Sequence, residues 1–543
     1  MGSKILAKRR MAAAGVPVLP GYAGEQQDLA HLEREARTLG LPLIIKPAAG
    51  GGGKGMQIVR ADGELPGALA AARRLAESAF GDGALLLERY LPAPRHLEVQ
   101  VFADQHGHFL HLGDRDCSIQ RRHQKLIEEA PAPAVPAEVR ARLRAAALVV
   151  AREIGYVSAG TVEFLFDGGE FYFMEMNTRL QVEHTVTEAV TGLDLVEWQL
   201  RVAAGETLPL TQEQVRLSGH AIEARVCAED PARGFLPSAG RLALLEWPRL
   251  DSVRVDAGFG SGDTVPDNYD SLLGKVIAWA GTRAEAAARL ASALDVTYCA
   301  GIATNERWLA RILRAPVFLE VRHDIALLDR SLAEFAGPDT VPVQVPVLAA
   351  LALHHASAAG ARSSPWELAD GFTPNLILPI AYSFACRARR ITVELEYRNG
   401  QPVTATPGGA QPEALADVQT GEQTVAARIG SQRHRARYFI AAGRIYLWLG
   451  AAAYELLLDD PRTHEFSATA AVGGLTTPLP GMVVSVAVGV GARVSAGDVL
   501  MVIEAMKMEH TITAPHAGTV KAIHFAHGQR VPEGSELLEI TPE

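Results

Sequence analysis

Cysteine is scarce and scattered in this sequence: Cys117, Cys227, Cys299 and Cys386 among 543 residues, with no CxxC pair. Neither a disulfide framework nor a cysteine zinc site fits that spacing, and a reducing compartment does. No run of Lys and Arg is longer than the three of Lys8-Arg9-Arg10, and with 52 basic and 62 acidic residues the formal charge is −10. The electrostatic footprint of a nucleic-acid partner is therefore missing. Long apolar runs are missing as well: no stretch approaches the length needed to span a bilayer, and Met1-Gly2-Ser3-Lys4 opens without the apolar core of a signal peptide. A soluble chain with no membrane partner is expected, in the cytoplasm by default and in a mitochondrial matrix as the alternative. The length itself accommodates three or four domains.

The first positive signal is an internal repeat. Residues 478–503 align without a gap on 515–540 at a constant offset of 37, matching among others Gly481 with Gly518, Arg493 with Arg530, Gly497 with Gly534 and Ile503 with Ile540. Short apolar runs bounded by Gly and Pro read as strands. Two β-rich halves are thus expected to pack face to face as a sandwich of about seventy residues. Lys507, in Ala505-Met506-Lys507-Met508, falls in their connection. A lysine between methionines is ordinarily a solvated turn residue. An exposed loop on a rigid scaffold is also where a protein presents one amine for modification.

Toward the N-terminus, residues 3–14 and 28–39 read as helices and 16–19 and 42–46 as strands. Five glycines then crowd 50–55 around Lys54, followed by an apolar stretch at 56–60. A Walker P-loop needs Ser or Thr where Gly55 stands, and a Rossmann turn needs a helix where 56–60 reads as a strand. Strand, glycine loop, strand describes instead a flap whose backbone amides close over phosphates, with Lys46 and Lys54 as cations. Residues 85–91 form a strand and turn suited to an adenine hinge, and 94–102 a strictly alternating strand. The polar cluster 114–125 would ordinarily be a solvated face, although its His, Lys and Arg suit ribose and phosphate.

Two strands, 160–166 and 171–177, flank Gly168-Gly169 and carry Glu163, Glu175 and Asn177. A two-residue loop puts the glutamates on opposite faces; a three-residue loop with a bulge makes them diagonal neighbours, roughly 7–8 Å apart and able to share Mg²⁺. The three-residue loop is expected. Arg179 and Glu183 follow at i, i+4, where one helix face would carry an anion-holding cation and a proton-accepting carboxylate; an exposed ion pair is the plain alternative.

In this order the motifs resemble the ATP-grasp portion of biotin carboxylase over residues 1–329. Ala505-Met506-Lys507-Met508 between half-repeats resembles the biotin attachment site of carrier domains. Together they identify the chain as a member of the biotin-dependent acyl-CoA carboxylase alpha subunits. The resemblance implies a multidomain α+β chain: an ATP-grasp domain at 1–216, a biotin carboxylase C-terminal subdomain at 217–333, a helix and β-rich docking domain at 340–466, a linker at 467–477 and a β-sandwich carrier at 478–543. It implies biotin on Lys507, ATP contacts from Lys4, Lys46, Gly51, Gly52, Glu88, Leu91, His96, Gln120, His123 and Lys125, and Mg²⁺ (or Mn²⁺) on Glu163, Glu175 and Asn177. It further implies bicarbonate on Lys125 and Arg179, Glu183 as general base and Arg225 as the cation facing biotin.

Implied partners are a carboxyltransferase beta subunit and a biotin protein ligase. The implied acyl substrate is methylcrotonyl-CoA first, then geranyl-CoA, propionyl-CoA or acetyl-CoA. Members of the family begin with a Rossmann-like domain ahead of the Met-Gly-Ser-Lys segment, so Met1 is expected to be internal and the carboxylase activity of this chain weak. The alternative function is then a biotinylated carrier and docking chain whose carboxylase is inactive.

Overall fold

The computed structural model describes residues 3–49, 55–337, 340–358, 376–386, 389–459, 474–477, 480–506 and 508–542. Its first unit is small. Asp28 caps the helix Leu29–Leu39 by accepting from His31 N–H at 2.9 Å, and Gly40 ends it at φ 83°. This helix and Leu65–Phe80 cover a four-stranded sheet ordered Gly21–Tyr22, Leu85–Arg89, Leu43–Pro47, Gln57–Val59. Leu32, Ala36, Leu43, Ile45, Leu69 and Leu87 form their common core. Ile45 pairs with Gln57, so the glycine-rich segment joins two antiparallel strands, as the flap reading requires; Gly51, Gly52 and Lys54 lie outside the described residues. The strand expected at 16–19 reduces to one bridge, Val18 with Phe173.

The second unit is an eight-stranded antiparallel sheet ordered Val253–Ala257, Leu272–Ala280, His220–Cys227, Gln124–Ala130, Phe109–Arg121, Arg95–Ala103, Ser158–Asp167, Glu170–Asn177. Because Ala221 pairs with Ala130 and Glu223 with Glu128, the sheet runs straight across the boundary drawn at 216. Alternation gives it one apolar face. Leu97, Val99, Val101, Val162 and Phe164 meet helix Ala137–Glu153, while Ile222, Ala224 and Val276 meet helix Arg283–Asp295. The other face is polar, and the short helix His184–Thr191 lies on part of it through Thr185 and Thr187.

The hairpin that carries Glu163 and Glu175 corrects the expected loop. Asp167 pairs with Glu170, leaving the two-residue turn Gly168-Gly169, both at positive φ (57° and 89°). The extra residue sits in the strand instead: pairing shifts between Phe164↔Phe173 and Glu163↔Glu175. That bulge restores the two glutamates to one face, directly opposite rather than diagonal. Arg179 and Glu183 are not on one helix either, because the helix starts at His184.

Beyond residue 340, helix Gln344–Ala358 enters a closed barrel of eight strands between Ile377 and Leu458. All eight residues from Val345 to Ala352 are buried, on every side, as befits a helix enclosed by a sheet. The turn Asn399-Gly400 has both residues at positive φ (52° and 76°), the type I′ geometry of a tight hairpin. Tyr298 and Trp448 meet edge to face at 5.1 Å, and Arg437 lies 4.3 Å over Tyr298 while bonding Glu246 at 2.6 Å, joining barrel to sheet unit.

The C-terminal sandwich has two four-stranded sheets. One contains Gly474–Thr476, Glu536–Pro542, Gly518–Ile523 and Arg493–Val494; the other Met508–Thr513, Val499–Ala505, Gly481–Val486 and Arg530–Val531. The halves do not simply face each other, since each lends a two-residue strand to the other's sheet. Gly474–Thr476 also extends the repeat into the stretch read as linker at 467–477. Among the described residues no helix is long and apolar enough to cross a membrane.

Leu348 in the enclosed helix is fully buried and Leu457 on the barrel surface is 41 % exposed. Leu348→Ala should cost the barrel ~2–5 kcal/mol, seen as a lowered thermal transition. Leu457→Ala should stay within ~0.5 kcal/mol, and equal effects would contradict an enclosed helix.

Candidate active site

The polar face of the eight-stranded sheet carries a row of charge. Glu175 pairs with Glu163, Glu163 with Glu98 and Glu98 with Arg115, so four ionisable residues stand side by side on adjacent strands. Glu98 and Arg115 are fully buried. Arg115 donates through Nε to Glu98 at 2.6 Å and through its other nitrogens to Gln100, Thr187 and Thr161 at 2.8, 2.9 and 3.1 Å. Lys125, from the neighbouring hairpin arm, brings its Nζ within 2.6 Å of Glu98, 2.8 Å of Glu163 and 2.6 Å of Glu183. Burial works against its charge, but the carboxylates of Glu98, Glu183 and Glu163 overcome that and hold Lys125 well above its ordinary value.

Glu183 stands just ahead of helix His184–Thr191 and is 2 % exposed. Lys125 donates to one of its oxygens, and Arg225 to the other at 2.9 Å. Arg225 also bonds Glu128 at 2.6 Å. Burial pushes the Glu183 carboxyl up; Lys125, Arg225 and Arg115 pull it further down, so that it is an anion at neutral pH. Glu163 behaves likewise, with Lys125 and His96 outweighing burial. Glu128 goes the other way, raised by burial and by Glu223 and Glu183 against the pull of Arg225.

A third group forms where the two sheets approach. Glu88 accepts from Lys8 at 2.6 Å and Lys46 at 2.7 Å, and Lys4 lies close enough to feel Glu175, Lys46 and Glu88. His96 is buried, its backbone N–H donating to Ser118 Oγ at 2.9 Å and its Nε2, 3.3 Å from Glu163, making no hydrogen bond among the described residues. Gln120 stands opposite Lys125, and Leu91 follows the strand Leu85–Arg89. His123 is at the tip of its hairpin at φ 66°, close enough to feel Lys46 and His96. Arg179 stands apart, exposed and donating to the Leu180 carbonyl at 3.2 Å.

Glu98, Arg115 and Glu128 were not foreseen. Their signal was present: Glu98 and Gln100, Thr161 and Glu163, and Glu223 and Arg225 put polar residues at alternate positions on three strands, which marks a shared polar face. Likewise, the cluster at 114–121 is a buried central strand, because its charges are answered across it: Asp116 by Arg95 at 2.9 Å, and Asp114 by Arg140 at 3.3 Å and by Arg144.

Four family models match in sequence. "Carbamoyl-phosphate synthase L chain, ATP binding domain" covers residues 3–211, "Biotin carboxylase C-terminal domain" 223–330, "Methylcrotonyl-CoA carboxylase, alpha-subunit, BT domain" 342–463 and "Biotin-requiring enzyme" 473–540. The methylcrotonoyl-CoA carboxylase alpha subunit of Arabidopsis thaliana is 38 % identical over 99 % of this chain and 80 % of its own length. The chain belongs to the biotin-dependent acyl-CoA carboxylase alpha subunits. The mouse methylcrotonoyl-CoA carboxylase alpha subunit, 39 % identical, is matched over 100 % of this chain and 78 % of its own; both relatives are described as mitochondrial. Among solved structures, the Campylobacter jejuni biotin carboxylase–ATP complex is 44 % identical with TM-score 0.59, covering 61 % of this chain and 74 % of that one. The biotin carboxylase domain of Hydrogenobacter thermophilus 2-oxoglutarate carboxylase, in complex with MgADP, ADP and bicarbonate, is 42 % identical with TM-score 0.60, covering 62 % and 75 %.

Biotin, ATP and Mg²⁺ are the cofactors of this family, and the described residues fit the last two. Glu163, Glu175 and Asn177 offer oxygen donors of the kind hard cations take. Burial and the nearby Glu163 anion raise the Glu175 carboxyl, a repulsion that a divalent ion would relieve. The lysines around Glu88 suit a polyphosphate. In the carrier of this carboxylase alpha subunit, Ala505 pairs with Met508, so a two-residue connection spans the hairpin end. Lys507 itself lies outside the described residues.

Lys125→Met would leave Glu98, Glu163 and Glu183 without their shared cation, a loss of ~3–5 kcal/mol at pH 7. Wild-type carboxyls with depressed values contribute stability above the unfolded value of about 4.3 and lose it as pH falls through the folded values. In the variant, protonation relieves repulsion instead. The gap in thermal stability should therefore narrow between pH 7 and pH 4, and a gap that stays constant would contradict the triple contact.

Proposed function

We propose that this chain uses ATP and bicarbonate to carboxylate biotin carried on its own Lys507, as the alpha subunit of an acyl-CoA carboxylase whose substrate is methylcrotonyl-CoA. The observation that carries this reading is Glu183, a buried carboxylate gripped on its two oxygens by Lys125 and Arg225 at 2.6 and 2.9 Å. An incoming bicarbonate competes for those cations. Glu183, losing their hydrogen bonds inside a buried site, becomes a stronger base and takes the bicarbonate proton. Lys125 holds the anion, and Arg179, exposed in the loop just before Glu183, is its second cation.

Arg225, whose guanidinium is held charged by Glu128, Glu183 and Glu223 against burial, offsets negative charge on the biotin ring. Bound biotin supplies a nucleophilic ureido nitrogen. Lys4, Lys46, Glu88, Leu91, His96, Gln120 and His123 line the ATP site, with Gly51 and Gly52 over the phosphates. Glu163, Glu175 and Asn177 hold Mg²⁺. The barrel at 377–458 docks a carboxyltransferase beta subunit, which contributes the acyl-CoA pocket, and a biotin protein ligase modifies Lys507. The likeness to methylcrotonoyl-CoA carboxylase alpha subunits, over 99–100 % of this chain and 78–80 % of theirs, supports this assignment.

The chain, co-expressed with a biotin ligase, should carry biotin on Lys507 by mass spectrometry and hydrolyse ATP only when bicarbonate and biotin are present. Glu183→Gln should lower that turnover by about 10²–10⁴-fold while ADP still binds. Turnover indifferent to bicarbonate, or a Glu183→Gln chain of wild-type rate, would reject the reading. With a co-purified beta subunit, methylcrotonyl-CoA should be preferred over propionyl-CoA and geranyl-CoA.

A further inference from the structure

The carrier is seated on the sheet unit by a residue of its own biotinyl turn. Ala505 belongs to the sandwich core, with Val483, Leu500, Ile503 and Leu537. Met506, the next residue, does not. Its side chain is 4 % exposed and buried in another domain's apolar cluster, that of Ala228, Leu242, Leu245, Val265 and Leu273. The change of direction comes from the backbone, since Met506 sits at φ 47°, a left-handed conformation uncommon for residues other than glycine. Its N–H donates to the Asp267 carbonyl at 3.1 Å.

Two further contacts and one electrostatic neighbour surround this one. Arg530, from the second half-repeat, approaches Asp267 at 3.8 Å. Leu236 of the sheet unit packs against the sandwich core. His510, on the strand leaving the turn, lies near Arg121 and Arg122. Arg121 is tied through Glu229 to Ser271, at 2.9 and 2.7 Å, one residue ahead of the strand Leu272–Ala280 that holds Lys275 opposite Arg225. The wall that receives Met506 is thus continuous with the wall of the catalytic site.

We propose that Met506 is a positioning residue for carrier-borne biotin: seated in the pocket of Leu242, Leu245, Val265 and Leu273, it sets the register of the biotinyl turn on the sheet unit during charging. Methionine suits the task because its unbranched, polarisable side chain fills an irregular apolar pocket and leaves it again without a specific bond to break. A carrier that must travel to a second site needs an anchor of that kind. Free biotin needs no anchor, so the contribution of Met506 is confined to biotin that arrives on the carrier. This inference rests on the proposed carboxylase reading for its kinetic consequence and on geometry alone for the seat.

The test uses the full biotinylated chain, with rates normalised to biotin content measured by mass spectrometry. Met506→Ala and the pocket variant Leu242→Ala, which leaves the carrier sequence intact, should each slow charging of carrier biotin by about tenfold or more, the loss expected from an emptied apolar seat. Turnover with saturating free biotin should remain within about twofold of wild type, and Met506→Leu, which conserves volume, should charge within about threefold. In a second arm, hydrogen exchange without nucleotide should rise at 244–246 and 264–267 in Met506→Glu and stay unchanged in Met506→Leu. Wild-type charging in both Met506→Ala and Leu242→Ala, equal losses with free and carried biotin, or unaltered exchange in Met506→Glu would overturn the proposal. A wild-type chain with no biotin-dependent ATP turnover would instead sink the carboxylase reading, and the exchange arm would still decide the seat.

Discussion

Burying charge is the constraint on which the N-terminal half depends. Glu175, Glu163, Glu98 and Arg115 stand in one cross-strand row, and Lys125 closes it by touching three carboxylates at once. Such a row is tolerable away from water only when each charge is answered, because an unpaired buried ion costs several kcal/mol. The supporting structure follows from this. Arg115 needs Gln100, Thr161 and Thr187 for its remaining protons, and the helix that supplies Thr187 also positions Glu183 at its start. The sheet must continue past Gln124–Ala130 so that Arg225 can reach both Glu128 and Glu183. In the proposed function, bicarbonate binding is an exchange of partners within this network.

The rest of the chain concerns delivery. The sandwich is a pseudo-twofold object in which each sheet of one half has its counterpart in the other at the same offset, down to the exchanged two-residue strands. That symmetry makes a rigid body with one hairpin end at Ala505 and Met508. The barrel is fastened to the sheet unit by Tyr298, Trp448 and Arg437, a contact with aromatic area and a charge-assisted bond. Among the described residues, the carrier rests on the same unit through Met506, the bond from its N–H to Asp267, the packing of Leu236 and a loose ion pair. A firm contact for the domain that stays and a light one for the domain that travels is the division that the proposed function asks for.

Much of this was legible in the residues. The offset of 37 marked the sandwich, the glycine run between apolar stretches marked a strand–loop–strand flap, and Glu163, Glu175 and Asn177 marked one face of a hairpin. What misled was local. The alternation expected at 94–102 is there, whereas the dense polar run at 114–125, ordinarily a solvated face, is for the most part a buried strand; the polar sides of both lie on a face that a helix partly covers. The hairpin shows the same limit: a bulge at Met174 and a three-residue turn both place the glutamates on one face, and a sequence cannot choose between them when the register depends on strands outside the hairpin.

The sequence by itself determined which chemistry the chain can carry, because periodicity, glycine spacing and the repeat are properties of neighbours along the chain: the flap, the carboxylate hairpin and the repeat scaffold on either side of Lys507. Only the tertiary structure decided how that chemistry is wired. Residues 98, 115, 125, 183 and 225 meet because five separate segments converge, and Met506 finds its pocket more than 230 residues away in sequence. The physical reason is that burial and charge pairing are set by what arrives across the fold, which a one-dimensional pattern does not encode.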